Sequence, residues 1–550
     1  MSASWSSEDK LREDLFAAVP GILAGQKENG QFGEEPWICQ DQNALLALAA
    51  AWSLEGSPHY QSEELIDAIG RGGMALVEAQ DEEGMWTFRK KDHSTWGQIY
   101  MPWTYSRWIR AYQVVREGVS AETREIWDRG LLLGYEGIAR TALDRIHNIP
   151  AHHAMGLYCA GQVFERLEWR EQASAFLLEV IGAQSEHGWW SENFGPVVMY
   201  NFVYSEALGT YYALSGDERV LEALERAARF HANYVYPDGS IVETIDERNP
   251  YHLGVRLGNA GLSLTPAGRG FIKQQHELHL AAGGNFDADY AANMLLYGSE
   301  GEVEETAAGR REHLHAMGRD ALVVRRNGWF ISLSAYIAPP KEDRWRQDRQ
   351  NFLSIYHDRT GLVVGGGNTK LQPLWSSFTA GDTSLMQHTQ GEEEPDFGPR
   401  AGLIHVPDSG NLRAAGESCE LELYYGDATG KIEVEPSGKK ELRLTYAVTP
   451  KGDLSIEAHV TLVPHMELPL LLSSGKQVNL TEETIEWSGD WISHAGWKLS
   501  LPDGARLVWP ALPHNPYRKG GEATVEEGLL VVVLPFAKEG GQQRLLLTVE

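Results

Sequence analysis

The chain has 550 residues, 42% of them apolar and 23% charged, which suits a folded soluble protein of two to four domains with large cores. Its formal net charge of −29 argues against nucleic acid or an anionic membrane as the main partner. The three cysteines, Cys39, Cys159 and Cys419, have neither disulfide-framework nor zinc-finger spacing, and no apolar run reaches the ~18 residues of a membrane span.

The N-terminus, Met1-Ser2-Ala3-Ser4-Trp5, has neither a basic start nor an apolar segment, so the chain as given reads as cytoplasmic. A repeat then follows. Gln26-x3-Gly30-x-Phe32 recurs as Gln80-x3-Gly84-x-Trp86 and as Gln184-x3-Gly188-x-Trp190, with a degenerate copy at Tyr236–Ile241. The glycines are 54, 104 and 51 residues apart, so one copy is missing near residue 136. A period of about 50 residues with an apolar segment on each side of a Gly turn predicts stacked helical hairpins. Ser57-Pro58 reads as a helix start ahead of Leu65, Ile69 and Leu76. Asp217 caps a run through Val220, Leu224, Ala227 and His231, and Ala173, Phe176, Leu177, Val180 and Ile181 form another face. Five or six hairpins in residues 1–300, closed into a ring, give an (α/α) toroid.

Residues 298–312 are polar and acidic and read as a connection. Beyond them the period becomes two. Ala321–Arg326 and Trp329–Ile337 flank Asn327-Gly328, a hairpin signal, and Leu442, Leu444, Tyr446 and Leu454 to Leu462 alternate. Residues 301–550 are therefore predicted to form a large antiparallel β-sandwich.

The densest polar cluster is His147-Asn148-Ile149-Pro150-Ala151-His152-His153. Pro150 stops a helix from the left, and a helical pattern resumes at Ala151, so the cluster sits at a loop-to-helix junction just after the missing repeat. One repeat later come Tyr200 and Tyr204, i and i+4 on one helix face. Stacked hairpins bring such positions together, so Asn148, His152 or His153, Tyr200 and Tyr204 are expected to share a cleft. Trp96, Tyr100, Trp103 and Arg107 recur at helical spacing, with Arg110 close by. With Trp190 they form a candidate sugar-binding set, the rings stacking on pyranose faces and the guanidinium pairing with a carboxylate. Arg344, Arg346 and Arg349 make a second positive cluster, read as a rim loop.

A helical toroid, a β-sandwich, an Asn/His cluster and a Tyr one repeat later resemble the toroid-plus-sandwich polysaccharide lyases, in particular heparinase II/III-like enzymes and related alginate lyases. The resemblance covers the whole chain in architecture and residues 147–206 in motif. The family's contiguous Asn-His is reversed here as His147-Asn148. The resemblance implies β-elimination on a uronate glycan. Asn148 with His152 or His153 would neutralise the substrate carboxylate. Tyr204 first, Tyr200 second, would act as acid or base, and His357 would come from the sandwich. The implied partner is an acidic poly- or oligosaccharide.

Other readings stay open. A toroid glycoside hydrolase, such as an unsaturated glucuronyl hydrolase, needs paired carboxylates, for which Asp41, Glu192, Glu206 and Asp246 are candidates. Terpene cyclases carry similar Gln-Gly-Trp turns but lack a sandwich of this size. A non-catalytic glycan-binding protein is the third reading. His276 and His279, and His313 and His315, do not assemble a ligand set, so no cofactor and no metal is expected. The sequence is silent on oligomeric state.

Overall fold

The computed structural model describes residues 4–248, 254–385, 390–392, 394–450 and 454–550. Met1–Ala3, on which the reading of the N-terminus partly rests, lie outside the described residues. Two compact units are present. The first comprises Met1–Glu192, Val198–Ala232 and Leu257–Thr306; the second comprises Asn193–Val197, Asn233–Arg256 and Ala307–Glu550.

The first unit opens with α1 (Glu8–Ala24), α2 (Ala44–Ser53), α3 (Glu63–Ala79) and α4 (Pro102–Val115). It continues with α5 (Ala121–Thr141), α6 (Asn148–Val163), α7 (Leu167–Gly182) and α8 (Val198–Ser215), and then α9 (Leu221–Asn233), α10 (Pro266–Ala281) and α11 (Ala288–Tyr297). Helices α2, α4, α6 and α8 pack in succession, and α11 packs on both α8 and α2, which closes the ring. Composition explains who is inside. Leu45 to Ala51 of α2 are all buried, as is nearly every residue of α6, and a helix apolar all round belongs in an interior. Outer helices such as α9 bury one stripe, Leu224, Ala227, Ala228 and His231, and leave the opposite face charged.

The repeat has a mechanical explanation. Each Gln carboxamide donates to the carbonyl of the turn glycine and to a carbonyl of the next outer helix. Gln26 reaches Gly30 (3.2 Å) and Ala68 (2.8 Å), Gln80 reaches Gly84 (3.4 Å) and Gly130 (3.0 Å), and Gln184 reaches Gly188 (3.2 Å) and Ala223 (2.9 Å). At the missing copy α5 runs on through residue 136 to Thr141, and the tie comes from the other side: Gln172 of α7 donates to Ala139 at 2.7 Å. The helix start expected at Ser57-Pro58 is instead at Ser62, whose hydroxyl accepts the Leu65 N–H. Trp96 does not share a helix with Arg107. It lies on a hairpin, Trp86–Arg89 with Thr95–Ile99, and α4 begins only at Pro102, because proline fits a first helical turn and not its interior. The acidic connection is bound to the first unit: Gly301–Glu302 pairs with Ser4–Trp5, and Arg229 holds Glu304 at 3.0 Å.

The second unit consists, among its described residues, mainly of an 11-stranded and a 9-stranded antiparallel sheet sharing one core. Leu421, Leu423, Ile432, Val434, Leu442, Leu444 and Leu547 of one sheet meet Ile331, Leu333, Ile355, Val460 and Val532 of the other. The expected hairpin is present: Arg326 pairs with Trp329, and Asn327 (φ 55°) and Gly328 (φ 86°) supply the two positive φ values of a type I′ turn. A single division at residue 300 does not describe the chain, because Asn233–Arg256 belongs to this unit. Arg349, fully buried and so not on a rim, donates to the carbonyls of Thr244 and Ile245, and the Gly366 N–H donates to Glu243 at 2.6 Å. A Cβ on Gly366 would stand 2.7 Å from the Thr244 methyl, which accounts for the glycine run as a close approach of backbones.

The Gly188 turn is a test of the repeat. Its φ is 91°, and a Cβ there would stand 2.0 Å from the Arg226 carbonyl oxygen. Gly188→Ala is expected to destabilise the protein by about 2 kcal/mol or more, read as a lowered denaturation midpoint at unchanged slope.

Candidate functional site

α6 starts at Asn148, with His147 as the residue before it, so Pro150 lies inside the first turn, where its missing N–H costs nothing. Asn148 and His152, four apart, share a face. The Asn148 carboxamide donates to both oxygens of Glu192, at 3.1 and 3.0 Å, and His147 Nε2 is 3.0 Å from the same carboxylate. The Asn148–Glu192 pair is buried, while His147 keeps about a quarter of its side chain accessible. Amide and imidazole thus converge on one carboxylate.

A second cluster lies one turn along α6. Glu206 of α8 is 3.7 Å from His152 Nε2 and 3.8 Å from both Arg107 and Arg110 of α4. Arg107 also makes a two-pronged pair with Asp289 of α11, at 2.7 and 2.6 Å, and Arg110, fully buried, donates to Asn293 at 2.7 Å. Burial opposes ionisation of Glu206, but His152, Arg107 and Arg110 together hold its carboxyl well below the usual range. Burial pushes His152 down, so the imidazole is neutral; its ring meets Trp103 edge-on at 4.6 Å. His153 points elsewhere in the interior, and burial lowers it to about 3.

The remaining expected residues divide. Tyr204 is buried and stacked on Trp190 at 4.9 Å, and burial, then the charge of Glu192, pushes its phenol up. Tyr200, one turn earlier, is half-buried at the start of α8. Trp190 spends its indole N–H on the Val180 carbonyl (2.7 Å) and is 3% exposed, so it is a packing residue of the repeat and not a sugar platform. Tyr100 is also buried, its hydroxyl lodged against Gly137 of α5. Arg107 is committed to Asp289 and Glu206. Trp96 does face solvent, 51% exposed, with Lys90 over its ring at 4.8 Å. His357 belongs to the second unit, where Nε2 bonds the Lys439 carbonyl (3.0 Å), Nδ1 accepts the Arg359 N–H (3.2 Å) and the ring packs on Trp329. Its ring nitrogens are therefore engaged within that unit.

Asp289 and Asn293 were not singled out from the sequence. The signal for them is Asp289-x3-Asn293-x3-Tyr297, a polar stripe on an otherwise apolar short helix. Of the hydrolase candidates, Asp41 is tied to Lys91 (2.6 Å) and the Ile38 N–H, Glu192 and Glu206 are held as described, and Asp246 belongs to the second unit. No group of three metal-ligating side chains is present among the described residues, and His276 and His313 are bonded to Tyr290 and Asn233.

A scan of protein-family models and a search of curated proteins find no match to this sequence. Solved structures do match. Streptomyces coelicolor chondroitin AC lyase, in complex with chondroitin sulphate, is 14% identical with a TM-score of 0.58, over 100% of this chain and 80% of that one. Heparinase III is 14% identical with a TM-score of 0.56, over 98% and 84%. A Paenibacillus xanthan lyase is 11% identical with a TM-score of 0.55, over 98% and 57%. The chain has the helical-toroid and β-sandwich fold of these polysaccharide lyases.

Two outcomes follow from the charges. Glu206→Gln leaves two buried guanidinium groups without their shared carboxylate and is expected to cost about 3 kcal/mol or more in denaturant unfolding. His153, His231 and His276 are each lowered from 6.5 to about 3 by burial. Between those values the unfolded chain binds protons that the folded one does not, so stability is lost as pH falls from about 6.5 towards 3. Calorimetry near pH 5 should record uptake of up to about three protons on unfolding from these groups, and one fewer in His153→Gln.

Proposed function

We propose that the protein is a polysaccharide lyase that cleaves an acidic, uronate-bearing glycan by β-elimination. The observation that carries this is the convergence of the Asn148 amide and the His147 imidazole on a single carboxylate. The C5 proton of a uronate is weakly acidic, and its removal needs donors that neutralise the adjacent carboxylate without themselves competing as base. An amide does this best. The fold shared with chondroitin, heparin and xanthan lyases supports the same reading.

In this scheme Glu192 keeps the Asn148 and His147 donors aimed until a uronate carboxylate displaces it and takes them up. The C5 proton is removed, its electron pair forms the C4–C5 double bond, and the C4–O4 bond breaks as O4 is protonated. Tyr200 is the tyrosine with surface to reach the substrate, and it replaces Tyr204 as first choice. Tyr204, closed off and with its phenol pushed up, positions Trp190 and the repeat turn. Trp96 and Lys90 offer a stacking ring and a cation to an acidic sugar. Glu206, held ionised by its arginines and His152, has no proton to donate as the general acid of a hydrolase.

The test is ultraviolet absorbance over time with alginate, heparan, chondroitin, hyaluronan and glucuronan substrates. A rise from the conjugated double bond is expected on at least one. Asn148→Ala and Tyr200→Phe should each lower kcat by about 100-fold or more, with Tyr204→Phe within about tenfold of wild type. No rise on any of them, with loss of absorbance from a pre-unsaturated oligosaccharide, sinks the lyase in favour of a hydrolase.

A further inference from the structure

The second unit contains a cleft of about 590 Å³ whose lining runs against the character of the whole chain. Arg311, Arg325, Arg359, Lys439 and Lys440 line it, against two carboxylates, Glu312 and Asp358. In a protein of net charge −29, five cations around one cleft are a local inversion of sign. The two carboxylates are already engaged. Asp358 accepts from Arg325 at 2.6 Å, and Glu312 faces Arg326 at 3.3 Å and the Asn327 N–H at 3.4 Å. Lys439 and Lys440 have no such neutralising partner in the lining and are exposed, while Arg359, also exposed, donates to the Glu550 main-chain oxygen and leaves part of its guanidinium for a ligand.

The fold builds this cleft from turns of both sheets. Arg325 stands at the end of one strand of the 11-stranded sheet, beside the Asn327-Gly328 turn, and Asp358-Arg359 follows the next strand but one in sequence. Lys439 and Lys440 sit in the turn between two strands of the 9-stranded sheet, and the Gly438 carbonyl of that turn is pinned by the Trp329 indole at 2.9 Å. Arg325 is the distinguishing feature. Its side chain is 8% accessible, one Nη is spent on Asp358, and its Nε and other Nη find no partner among the described residues. Buried guanidinium N–H groups are costly to leave unpaired, and a planar donor fork matches the oxygens of a carboxylate or sulfate.

We infer that this cleft is an oxyanion-recognition site for a sulfate- or carboxylate-bearing glycan segment, made entirely of second-unit residues. Its volume lies in the range of sites for sugar-sized ligands, well beyond what a lone oxyanion fills. Buried Arg325 would grip one anionic group, while Arg359, Lys439 and Lys440 follow the next along the chain. The choice of a glycan rests on the lyase reading above; the preference for oxyanions does not. Such a site would hold a polymeric substrate to the protein independently of the helical residues that carry out chemistry.

The experiment reads the cleft locally. Amine acylation of the whole protein is followed by mass spectrometry at Lys439 and Lys440, with exposed Lys476 as control. A sulfated uronate hexasaccharide, a neutral glucan hexasaccharide and inorganic sulfate are compared at equal concentration. The sulfated hexasaccharide is expected to slow modification of Lys439 and Lys440 at least fivefold and leave Lys476 unchanged, while the other two protect weakly or not at all. In Arg359→Gln/Lys439→Gln/Lys440→Gln, affinity for a long sulfated glycan should fall at least tenfold and its salt dependence should flatten, with turnover of a short oligosaccharide unchanged. Equal modification rates with and without the sulfated hexasaccharide overturn the site. Equal protection by the neutral glucan overturns charge recognition, and equal protection by sulfate overturns the glycan as occupant. The readout does not require cleavage, so a failure of the lyase reading registers separately, as silence in the absorbance assay.

Discussion

One buried ionic group holds the helical ring together. Glu206 of α8 faces Arg107 and Arg110 of α4 and His152 of α6, and the same arginines reach Asp289 and Asn293 of α11. Four of the five helices that line the ring thus meet at one charge cluster, and α11, which closes the ring, is fastened there. Apolar packing alone would let inner helices such as α2, with leucine and alanine on every side, slide or rotate. The Arg107–Asp289 and Arg110–Asn293 hydrogen bonds fix α4 against α11, and the ion pairs of Glu206 at 3.7–3.8 Å draw α8 and α6 to the same point. The cost is desolvation of four full charges, Arg107, Arg110, Glu206 and Asp289, which is repaid only while the set is complete.

This explains why several residues that look like substrate ligands are not available as such. Arg107, expected to pair with a glycan carboxylate, already has two. His152 is neutral and enclosed. What the network does for the site is indirect: it fixes the rotation of α6, and with it the position of Asn148 one turn nearer the N-terminus. The donors that converge on Glu192 are therefore supported from below by a cluster that is mostly enclosed. Charge chemistry in the first unit is layered, with structural ions inside and a carboxylate-binding pair towards the loop.

Much of this was legible in the sequence, for identifiable reasons. The Gln-x3-Gly-x-Trp repeat announced stacked hairpins because each copy has to make the same turn and the same two carboxamide bonds. The Asn327-Gly328 hairpin was readable because only a few residue pairs tolerate two successive positive φ values. The alternation in 442–446 and 456–462 marked strands with one face in the core. What failed was periodicity applied across a boundary. Trp96, Tyr100, Trp103 and Arg107 keep helical spacing, yet a strand ends and a helix begins between them. Burial was equally hidden. Nothing local distinguishes Tyr200 from Tyr204, or tells that Trp190 turns its indole to its own hairpin. The partners Asp289 and Asn293 lie some 180 residues from the arginines, so only ring closure brings them into view.

The reversed tie at the missing repeat changes what the connection beside it has to do. At the Gln26, Gln80 and Gln184 hairpins the turn itself carries the Gln and the Gly, so its sequence is bound to the integrity of the ring. Between α5 and α6 the bond runs from Gln172, in the body of α7, to Ala139, in the body of α5. The loop 142–147 is thereby relieved of the repeat's structural duty. Residues there can be exchanged, lengthened or shortened at little expense to the fold, while His147 at its end stays anchored by the start of α6. A scaffold that frees one connection out of a series lets that connection vary without disturbing what holds the ring together.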